Sequence, residues 1–280
     1  MRVSEIAWSV VSARSSLETA LSIALGSLSE STPLRWLLIT SLVLLLVALP
    51  VGIAVWQQGE VQHWSGARWD SARLAPEPSL TPEAVVQIYC AASWGLKGAV
   101  ADHCWIAFKD EGASAYTRYD VVRWGVSSGG EAIRMNFRGV PDGNWAGNRP
   151  RVLLDRRGAD AVALIPAIEQ AVADYPYRHT YRTWPGPNSN TFIAWIARQV
   201  PELGLDLPPR AIGKDYIGAR LLARAPSNTG YQLSLGGVFS LIVARVEGLE
   251  INLSGVTLGI NPLDLSITLP GLGRLRLIGD

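Results

Sequence analysis

Residues 84–109 read AVVQIYCAASWGLKGAVADHCWIAFK, and the fold prediction starts from this stretch. Its two ends are rich in Val, Ile, Tyr and Trp, whereas its middle contains three glycine and serine positions that interrupt the pattern. This composition is typical of two short β-strands joined by a connection. Three further runs of the same character follow, at 116–126, 132–139 and 151–155. Together the runs predict an antiparallel meander.

Two helices are predicted after the strands. Residues 158–175 repeat apolar side chains at helical spacing, and Pro166 inside this run predicts a kink or a restart. The second half of the stretch 183–204 predicts the second helix, which Pro201 helps to stop. The apolar stripes are Ala161, Leu164, Ile165, Ile168 and Val172 for the first helix and Phe192, Ile193, Ile196 and Val200 for the second.

The C-terminal part changes character. From 231 to 277, apolar side chains alternate in short runs that Gly and Pro interrupt, which predicts the hairpins of a small β module. A module this apolar, on a tethered chain, could rest on a bilayer or on a partner. We expect it to pack against the main domain instead.

A membrane-spanning helix is predicted upstream of the strands. No charged residue occurs between Trp36 and Gly59, and a helix of this length crosses a hydrocarbon layer of roughly 30 Å. The run is too long and starts too late for a cleavable signal peptide. Three arginines precede it, at 2, 14 and 35, against two shortly after it, at 68 and 73. The positive-inside rule then predicts a cytoplasmic N-terminus and, in a bacterium, a periplasmic main domain held by a single span of the inner membrane.

These patterns predict one architecture, an α+β fold whose antiparallel sheet packs against two main helices. The segments are an N-terminal cytoplasmic or membrane-surface stretch (1–33), the transmembrane helix (34–58), a Pro-rich linker (59–82), the α+β domain (83–226) and the C-terminal β module (227–280). The formal charge of +1 and the absence of a Lys/Arg run argue against nucleic-acid binding, because phosphate binding needs a concentrated basic surface.

Few residues are suited to metal or cofactor chemistry. The chain has three histidines and two cysteines without the spacing of a zinc site, and it has no phosphate-binding glycine loop. We therefore expect no metal and no cofactor. Cys90 and Cys104 could form a disulfide across adjacent strands, or both could be small core residues, which is the interpretation that we favour.

The start of the second helix raises the question of function. Asn188, Ser189, Asn190 and Thr191 are all residue types that cap helices, but one cap suffices. The alternative is that the helix start is a site, since free N–H groups and the helix dipole stabilise an oxyanion or an activated nucleophile there.

Two resemblances bear on this question. A strand His followed by a helix that opens with such a polar run is similar to the circularly permuted papain-like group, which includes lecithin retinol acyltransferase-like proteins and related peptidases. More narrowly, the segments WGLKG, HCWIAFK, YDVVRWG, PDGNWAGNRP, YRTWPGPNSNTFIAWI and AIGKDY resemble an uncharacterised bacterial family, domain-of-unknown-function family 3750. The second resemblance covers most of residues 60–280 and implies a membrane-anchored protein of unassigned activity.

The papain-like resemblance implies a catalytic pair, His103 as base and Ser189 as nucleophile, with Ser where that group has Cys. Serine then needs His103 within hydrogen-bond reach, and His103 needs a third group to orient it. Tyr119 and Asp120 are both candidates, because neighbouring strand residues point to opposite faces. Backbone N–H groups, with the side chain of Asn188 or Asn190, would bind the oxyanion, and Trp184 would line the site.

Two functions follow as expectations. The first is a periplasm-facing hydrolase or acyltransferase that acts on an amide or ester of envelope material through Ser189 and His103. The second is a non-catalytic envelope protein whose groove binds a peptide, glycan or lipid. The distance between the Ser189 hydroxyl and the His103 ring is the observation that discriminates between them, since catalysis needs a separation that one hydrogen bond or one water can bridge.

Overall fold

The computed structural model describes residues 32–58 and 66–277. Nearly all of the predicted N-terminal segment, 1–33, lies outside the described residues, as do the first residues of the predicted linker. The chain divides into two units, one that ends at Leu49 and one that begins at Pro50.

The predicted span coincides with a helix. Helix α1 (Thr32–Val43) continues through a π-helical segment (Leu44–Ala48) into α2 (Leu49–Gln58). The combined helix Pro33–Gln58 has 26 residues and is long and apolar enough to cross a membrane. Unlike the residues of a soluble core helix, most of its large apolar side chains before Pro50 are exposed, which is the pattern expected for lipid contact.

Five strands form the first sheet, in the order β4-β3-β2-β1-β5, with all pairs antiparallel. Their bounds are β1 (Val85–Ala92), β2 (Asp102–Lys109), β3 (Thr117–Val121), β4 (Ile133–Met135) and β5 (Arg151–Arg157). The predicted meander holds for β1 to β4 and is wrong for β5, which pairs with β1 at the opposite edge. The connection 136–150 therefore has to cross one face of the sheet.

The two faces of this sheet carry different side chains. Helices α3 (Ala159–Ala173) and α4 (Ser189–Gln199) cover what we call the helical face, where both predicted apolar stripes are buried. The other face, here the tryptophan face, buries Tyr89, Trp105 and Trp145. Trp145 comes from the crossing connection, so this connection provides the cover that the tryptophan face needs.

Alternation along β2 (Asp102–Lys109) distributes its residues between these faces. Cys104, Ile106 and Phe108 join the core of the helical face, whereas Trp105 belongs to the tryptophan face. Cys90 of β1 lies directly opposite Cys104 and forms a disulfide with it. Our preference for two unpaired core cysteines is thus wrong, because the register of β1 and β2 brings the two thiols together inside the core.

The C-terminal module is a seven-stranded antiparallel sheet whose strands pair in chain order. Its strands are β6 (Leu222–Arg224), β7 (Gly230–Leu235), β8 (Phe239–Ala244), β9 (Gly248–Leu253), β10 (Val256–Asn261), β11 (Ser266–Leu269) and β12 (Gly273–Arg276). The predicted packing against the main domain is present. However, the side that packs is the polar one, which buries Gln232, Ser234, Ser240, Glu250 and Asn252.

Buried polar contacts join the module to the segment after α4. Lys214 Nζ lies 2.7 Å from Glu250 Oε2, and both side chains are 2% exposed. Ser240 donates to Asp215 Oδ2, and Arg198 donates to Gln232 Oε1. The strands of the module thus cover the side chains of both Lys214 and Asp215.

Candidate functional site

The start of α4 is held by a capping box. Asn188 Oδ1 accepts hydrogen bonds from the N–H groups of Asn190 and Thr191, at 2.9 and 3.1 Å, and Thr191 Oγ1 accepts one from the Asn188 N–H. Asn188 Nδ2 donates to the carbonyls of Thr183 and Ile212. Both the oxygen and the two N–H groups of the Asn188 amide therefore have partners within the protein. The sequence predicts this amide as a candidate oxyanion donor, and in this arrangement its N–H groups already have acceptors.

Asn190 ties the helix start to the first sheet. Its Nδ2 donates to the carbonyl of Asp102 in β2 and to that of Ile212, both at 2.9 Å. Both N–H groups of this amide therefore have acceptors in this arrangement. Asn190 Oδ1 is buried and has no hydrogen-bond partner among the described residues.

Ser189 differs from its neighbours. Neither its hydroxyl nor its backbone N–H has a hydrogen-bond partner in the described part of the chain. The other N–H groups of the first turn are bonded, since those of Asn190 and Thr191 reach the Asn188 side chain and that of Phe192 reaches the Asn188 carbonyl. Of the four polar residues at this helix start, Ser189 is thus the one that structure alone does not explain.

His103 lies on β2, and its ring belongs to the tryptophan face. The imidazole stacks on Trp145, with ring centroids 3.5 Å apart and an angle of 9° between the planes. His103 Nε2 lies 3.2 Å from Asp120 Oδ1. His103 is only 5% exposed, so the stack and the carboxylate together fix the orientation of the ring.

The third group is Asp120. Tyr119 points to the helical face, where its ring packs near Phe108, whereas Asp120 points to the tryptophan face with His103. Arg118 binds the same carboxylate with Nε at 2.6 Å and Nη2 at 3.0 Å. Burial raises the pKa of Asp120, but the charge and hydrogen bonds of Arg118 and His103 outweigh it, so that the pKa lies below its usual value.

The protonation of His103 follows from this contact. A carboxylate only accepts hydrogen bonds, so Nε2 carries the proton and Nδ1 is the unprotonated nitrogen. Burial lowers the pKa of His103, although Asp120 opposes this effect. The ring is therefore neutral at neutral pH and can accept a proton at Nδ1, for which no partner is present among the described residues.

Ser189 and His103 line one cavity of about 480 Å³. No hydrogen bond joins them in the described structure, and they reach the cavity from different sides. Ser189 begins a helix that covers the helical face, whereas the imidazole lies on the tryptophan face. The cavity is located at the N-terminal end of β2 (Asp102–Lys109), where both faces become accessible. The two predicted catalytic residues thus line the same cavity, but no hydrogen bond joins them.

The remaining walls of the cavity are mostly apolar. Trp184, predicted to line the site, does so and is 45% exposed. Val51 contributes from the apolar helix Pro33–Gln58, so that part of the wall comes from the same helix that is suited to a membrane. The other apolar side chains of the lining are Val100, Ala101, Pro209, Ile212, Val256, Leu269 and Pro270.

Sequence reasoning missed the charged part of the wall. Asp102 is completely buried and binds Arg151, and its Oδ1 lies 3.2 Å from Arg210 Nη2. Asp102 was adjacent to His103 in the sequence, which was a usable signal. Arg210 follows two prolines in an irregular segment, so nothing local indicated its position. Tyr181 also lines the cavity and was not predicted.

Residues 83–216 match the model of a family described as "Protein of unknown function (DUF3750)". The match includes both His103 and Ser189 and ends before the C-terminal sheet. No curated protein and no solved structure matches the chain significantly. The similarity to papain-like proteins therefore rests on the two short sequence motifs alone.

Proposed function

We propose that this chain is a membrane-anchored hydrolase or acyltransferase that acts on an amide or ester through Ser189. Its residues 83–216 match a family of unknown function. One observation carries the proposal. At the start of a buried helix, Ser189 has an unbonded hydroxyl and an unbonded N–H, and it lines a cavity that His103 also lines.

Each group then has a chemical role. The Ser189 hydroxyl attacks the carbonyl carbon, its proton passes to His103 Nδ1, and the imidazolium returns that proton to the departing amine or alcohol. The Ser189 N–H and the dipole of α4 stabilise the oxyanion. Water, or an acceptor alcohol or amine, then releases the acyl group. Since Ser189 and His103 are not hydrogen-bonded, one water molecule has to connect them, or substrate binding has to close the gap.

The location belongs to the proposal as well. A disulfide joins Cys90 and Cys104, and such bonds persist in oxidising compartments. Together with the apolar helix Pro33–Gln58, this supports a domain on the periplasmic side of a bacterial inner membrane, held by a single span. Amide and ester groups of envelope material are the substrates within reach there.

A second candidate is a non-catalytic envelope protein that binds a peptide, glycan or lipid in the same cavity. The separate approach of Ser189 and His103 from the two sheet faces favours it, because catalysis by a Ser/His pair needs a short proton path. The mainly apolar walls favour a ligand with an apolar part.

A serine-directed fluorophosphonate separates the two candidates. The full chain in detergent micelles is treated with the probe, alongside Ser189→Ala and His103→Gln. Ser93→Ala is the matched control, because Ser93 is a serine in the wall of the same cavity. For the enzyme we expect labelling of the wild type and of the control, and none of the other two variants.

Other patterns count against catalysis. Equal labelling of all four proteins, or no labelling of the wild type, contradicts a nucleophilic Ser189. A fluorescent phospholipid is then titrated into the unlabelled chain. Saturable binding that Ser189→Trp abolishes and Ser93→Ala leaves unchanged supports the binding protein, whereas no saturable binding contradicts both candidates for this class of ligand.

A further inference from the structure

The outer face of the C-terminal sheet is apolar and uncovered in the described structure. Its side chains remain exposed in the middle of the sheet as well as at the ends, with Val243 at 58%, Ile251 at 46% and Leu253 at 60%. A two-layer protein normally buries such a face and leaves the polar one in water. Here the orientation is reversed, because the polar face packs on the main domain.

The strand register makes this face continuous. Val243, Leu249 and Ile260 lie side by side in one row across β8, β9 and β10, and Leu241, Ile251 and Leu258 form the next row. Tyr231, Leu233 and Leu235 of β7 extend the rows on one side, and Ile267 and Leu275 extend them on the other. Contiguous apolar surfaces larger than a few hundred Å² mark interaction sites.

Charges at the borders indicate the partner. Within residues 222–277, the exposed charged side chains are all arginines: Arg224, Arg245 and Arg276. Arg224 lies on the edge strand β6 and Arg245 follows β8. Arg276 of β12 alternates with Leu275 and pairs with the buried Ser266, so it points to the polar side of the sheet and not to the apolar face. The acidic side chains of the module are withdrawn from the surface, since Glu247 and Glu250 are buried and Asp264 is half-buried.

We propose that this face lies on an anionic lipid bilayer, with its apolar rows in the acyl boundary and its border arginines among the headgroups. Apolar surface with basic residues at its edge is what binds peripheral elements to such membranes. The apolar helix Pro33–Gln58 belongs to the same chain. It keeps the sheet at high effective concentration near a bilayer, so modest contacts suffice.

The cavity wall supports the same assignment. Val256 and Leu269 belong to the strands of the apolar face and also line the cavity, as does Val51 of the apolar helix. The apolar surface therefore continues from the sheet to a residue of the membrane-suited helix. A second copy of the chain is a poorer occupant, because two such faces would bring arginines together with no exposed module carboxylate to neutralise them.

The test uses the full chain in nanodiscs of phosphatidylethanolamine and phosphatidylglycerol. The only two cysteines of the chain are joined in a disulfide, so Ile251→Cys adds the single reactive thiol, which is labelled with an environment-sensitive fluorophore. Glu111→Cys, on the exposed turn between β2 and β3, is the matched control. Quenching by nitroxide-labelled lipid and by aqueous iodide is then compared.

For a bilayer contact, we expect severalfold stronger quenching by nitroxide lipid at Ile251→Cys than at Glu111→Cys, together with protection from iodide. Arg224→Glu and Arg245→Glu combined should weaken the lipid quenching at position 251. The same changes at Arg123 and Arg149, two exposed arginines of the α+β domain, should leave it unchanged.

Three outcomes overturn the proposal. Iodide quenching equal to that of Glu111→Cys means that the face is in water. Protection from both quenchers means that protein covers the face, and a dimeric mass in detergent then identifies a second copy. Lipid quenching that is unaffected by the two Arg→Glu changes at Arg224 and Arg245 overturns the assignment to anionic headgroups.

Discussion

At the scale of single residues, Asn188 and Ser189 differ in the hydrogen bonding of their side chains. The side chain of Asn188 makes contacts with two N–H groups of its own helix and with two carbonyls of neighbouring segments. The adjacent Ser189 is equally buried, and neither its hydroxyl nor its N–H makes a hydrogen bond with the described residues. A buried polar side chain without a structural contact is most simply explained by a ligand or a reaction.

This contrast predicts a large loss of stability when Asn188 is replaced and almost none when Ser189 is replaced. Asn188→Ala should lower the free energy of unfolding by about 2 kcal/mol or more, because it removes the helix cap and leaves buried carbonyls without donors. Ser189→Ala should change it by less than about 0.5 kcal/mol. Urea unfolding of the full chain in detergent, followed by tryptophan fluorescence, measures both. A large loss in Ser189→Ala would mean that the hydroxyl has a structural contact after all.

The pH dependence of labelling tests His103. Burial lowers the pKa of His103, so the neutral base persists below the usual value of about 6.5. If Ser189 reacts through this base, the fluorophosphonate rate should stay constant down to that pH and fall only at lower pH. The stability linked to neutral His103 has the same sign, since it is complete above the unfolded pKa and is lost as pH falls.

The control for this profile is Asp120→Asn. Asp120 raises the pKa of His103 against the effect of burial, so its removal should shift the fall in rate to still lower pH. A rate that decreases already above pH 7, or a profile that His103→Gln leaves unchanged, would contradict a role for this imidazole.

Part of the site could be predicted from single residues. His103 and Ser189 were found because a strand His and a polar helix start are local features, and both line the cavity. The choice between Tyr119 and Asp120 could not be made, because it depends on which face of β3 looks towards His103. The missing contact between His103 and Ser189 has the same origin, since the helix could have covered either face.

At the scale of elements, polar contacts replace an apolar core between the α+β domain and the C-terminal sheet. Lys214 and Glu250 are both buried at this junction, and Arg274 adds a second contact to Glu250 at 3.4 Å. Burial lowers the pKa of Lys214, but Glu250 outweighs this effect, so that the pKa is raised and the amine stays charged. A buried ion pair specifies a position more than it adds net stability.

A double-mutant cycle tests this junction. Lys214→Met should destabilise the chain by roughly 3–5 kcal/mol, because Glu250 is left with Arg274 as its remaining ion-pair partner. Adding Glu250→Gln should recover much of that loss. Arg157→Met is the control, since Arg157 forms half-exposed pairs with Asp155 and Glu83 and should cost less than about 1 kcal/mol. A double variant as unstable as Lys214→Met would contradict the coupling.

Strands and helices followed the sequence well where the pattern is local. The apolar stripe of α4 and the alternation along β2 identify these elements directly. Strand order did not follow, because β5 pairs with β1 through a connection that periodicity does not describe. The orientation of the C-terminal sheet was also hidden, since alternation shows that a strand has two faces but not which face meets the domain.

At the scale of the whole molecule, the disulfide and the apolar helix both support the proposed location of the domain, in an oxidising compartment next to a membrane. Cys90 and Cys104, 14 residues apart in sequence, are joined inside the core of the helical face. A reducing compartment would not maintain this bond. The helix Pro33–Gln58 is long and apolar enough to anchor the domain to a membrane.

The proposed oxidising location predicts that Cys90 and Cys104 are disulfide-bonded in cells. Lysates prepared under acid quench and denatured should show no shift with maleimide-polyethylene glycol until a reductant is added. Cys90→Ala should leave Cys104 reactive without reductant, and the double variant should never shift. Loss of the disulfide should also lower the free energy of unfolding by about 2–4 kcal/mol. Thiols that are free in the wild-type chain in cells would place the domain in a reducing compartment.

The apolar face of the C-terminal sheet has a consequence for biogenesis. The sheet is synthesised after the α+β domain, and strands with one apolar side are prone to aggregate until that side is covered. The apolar helix is made some 160 residues earlier, so in the proposed location it can be inserted into the membrane before those strands are made. Truncated chains that start after the helix would lose this order of events and would need a chaperone to remain in solution.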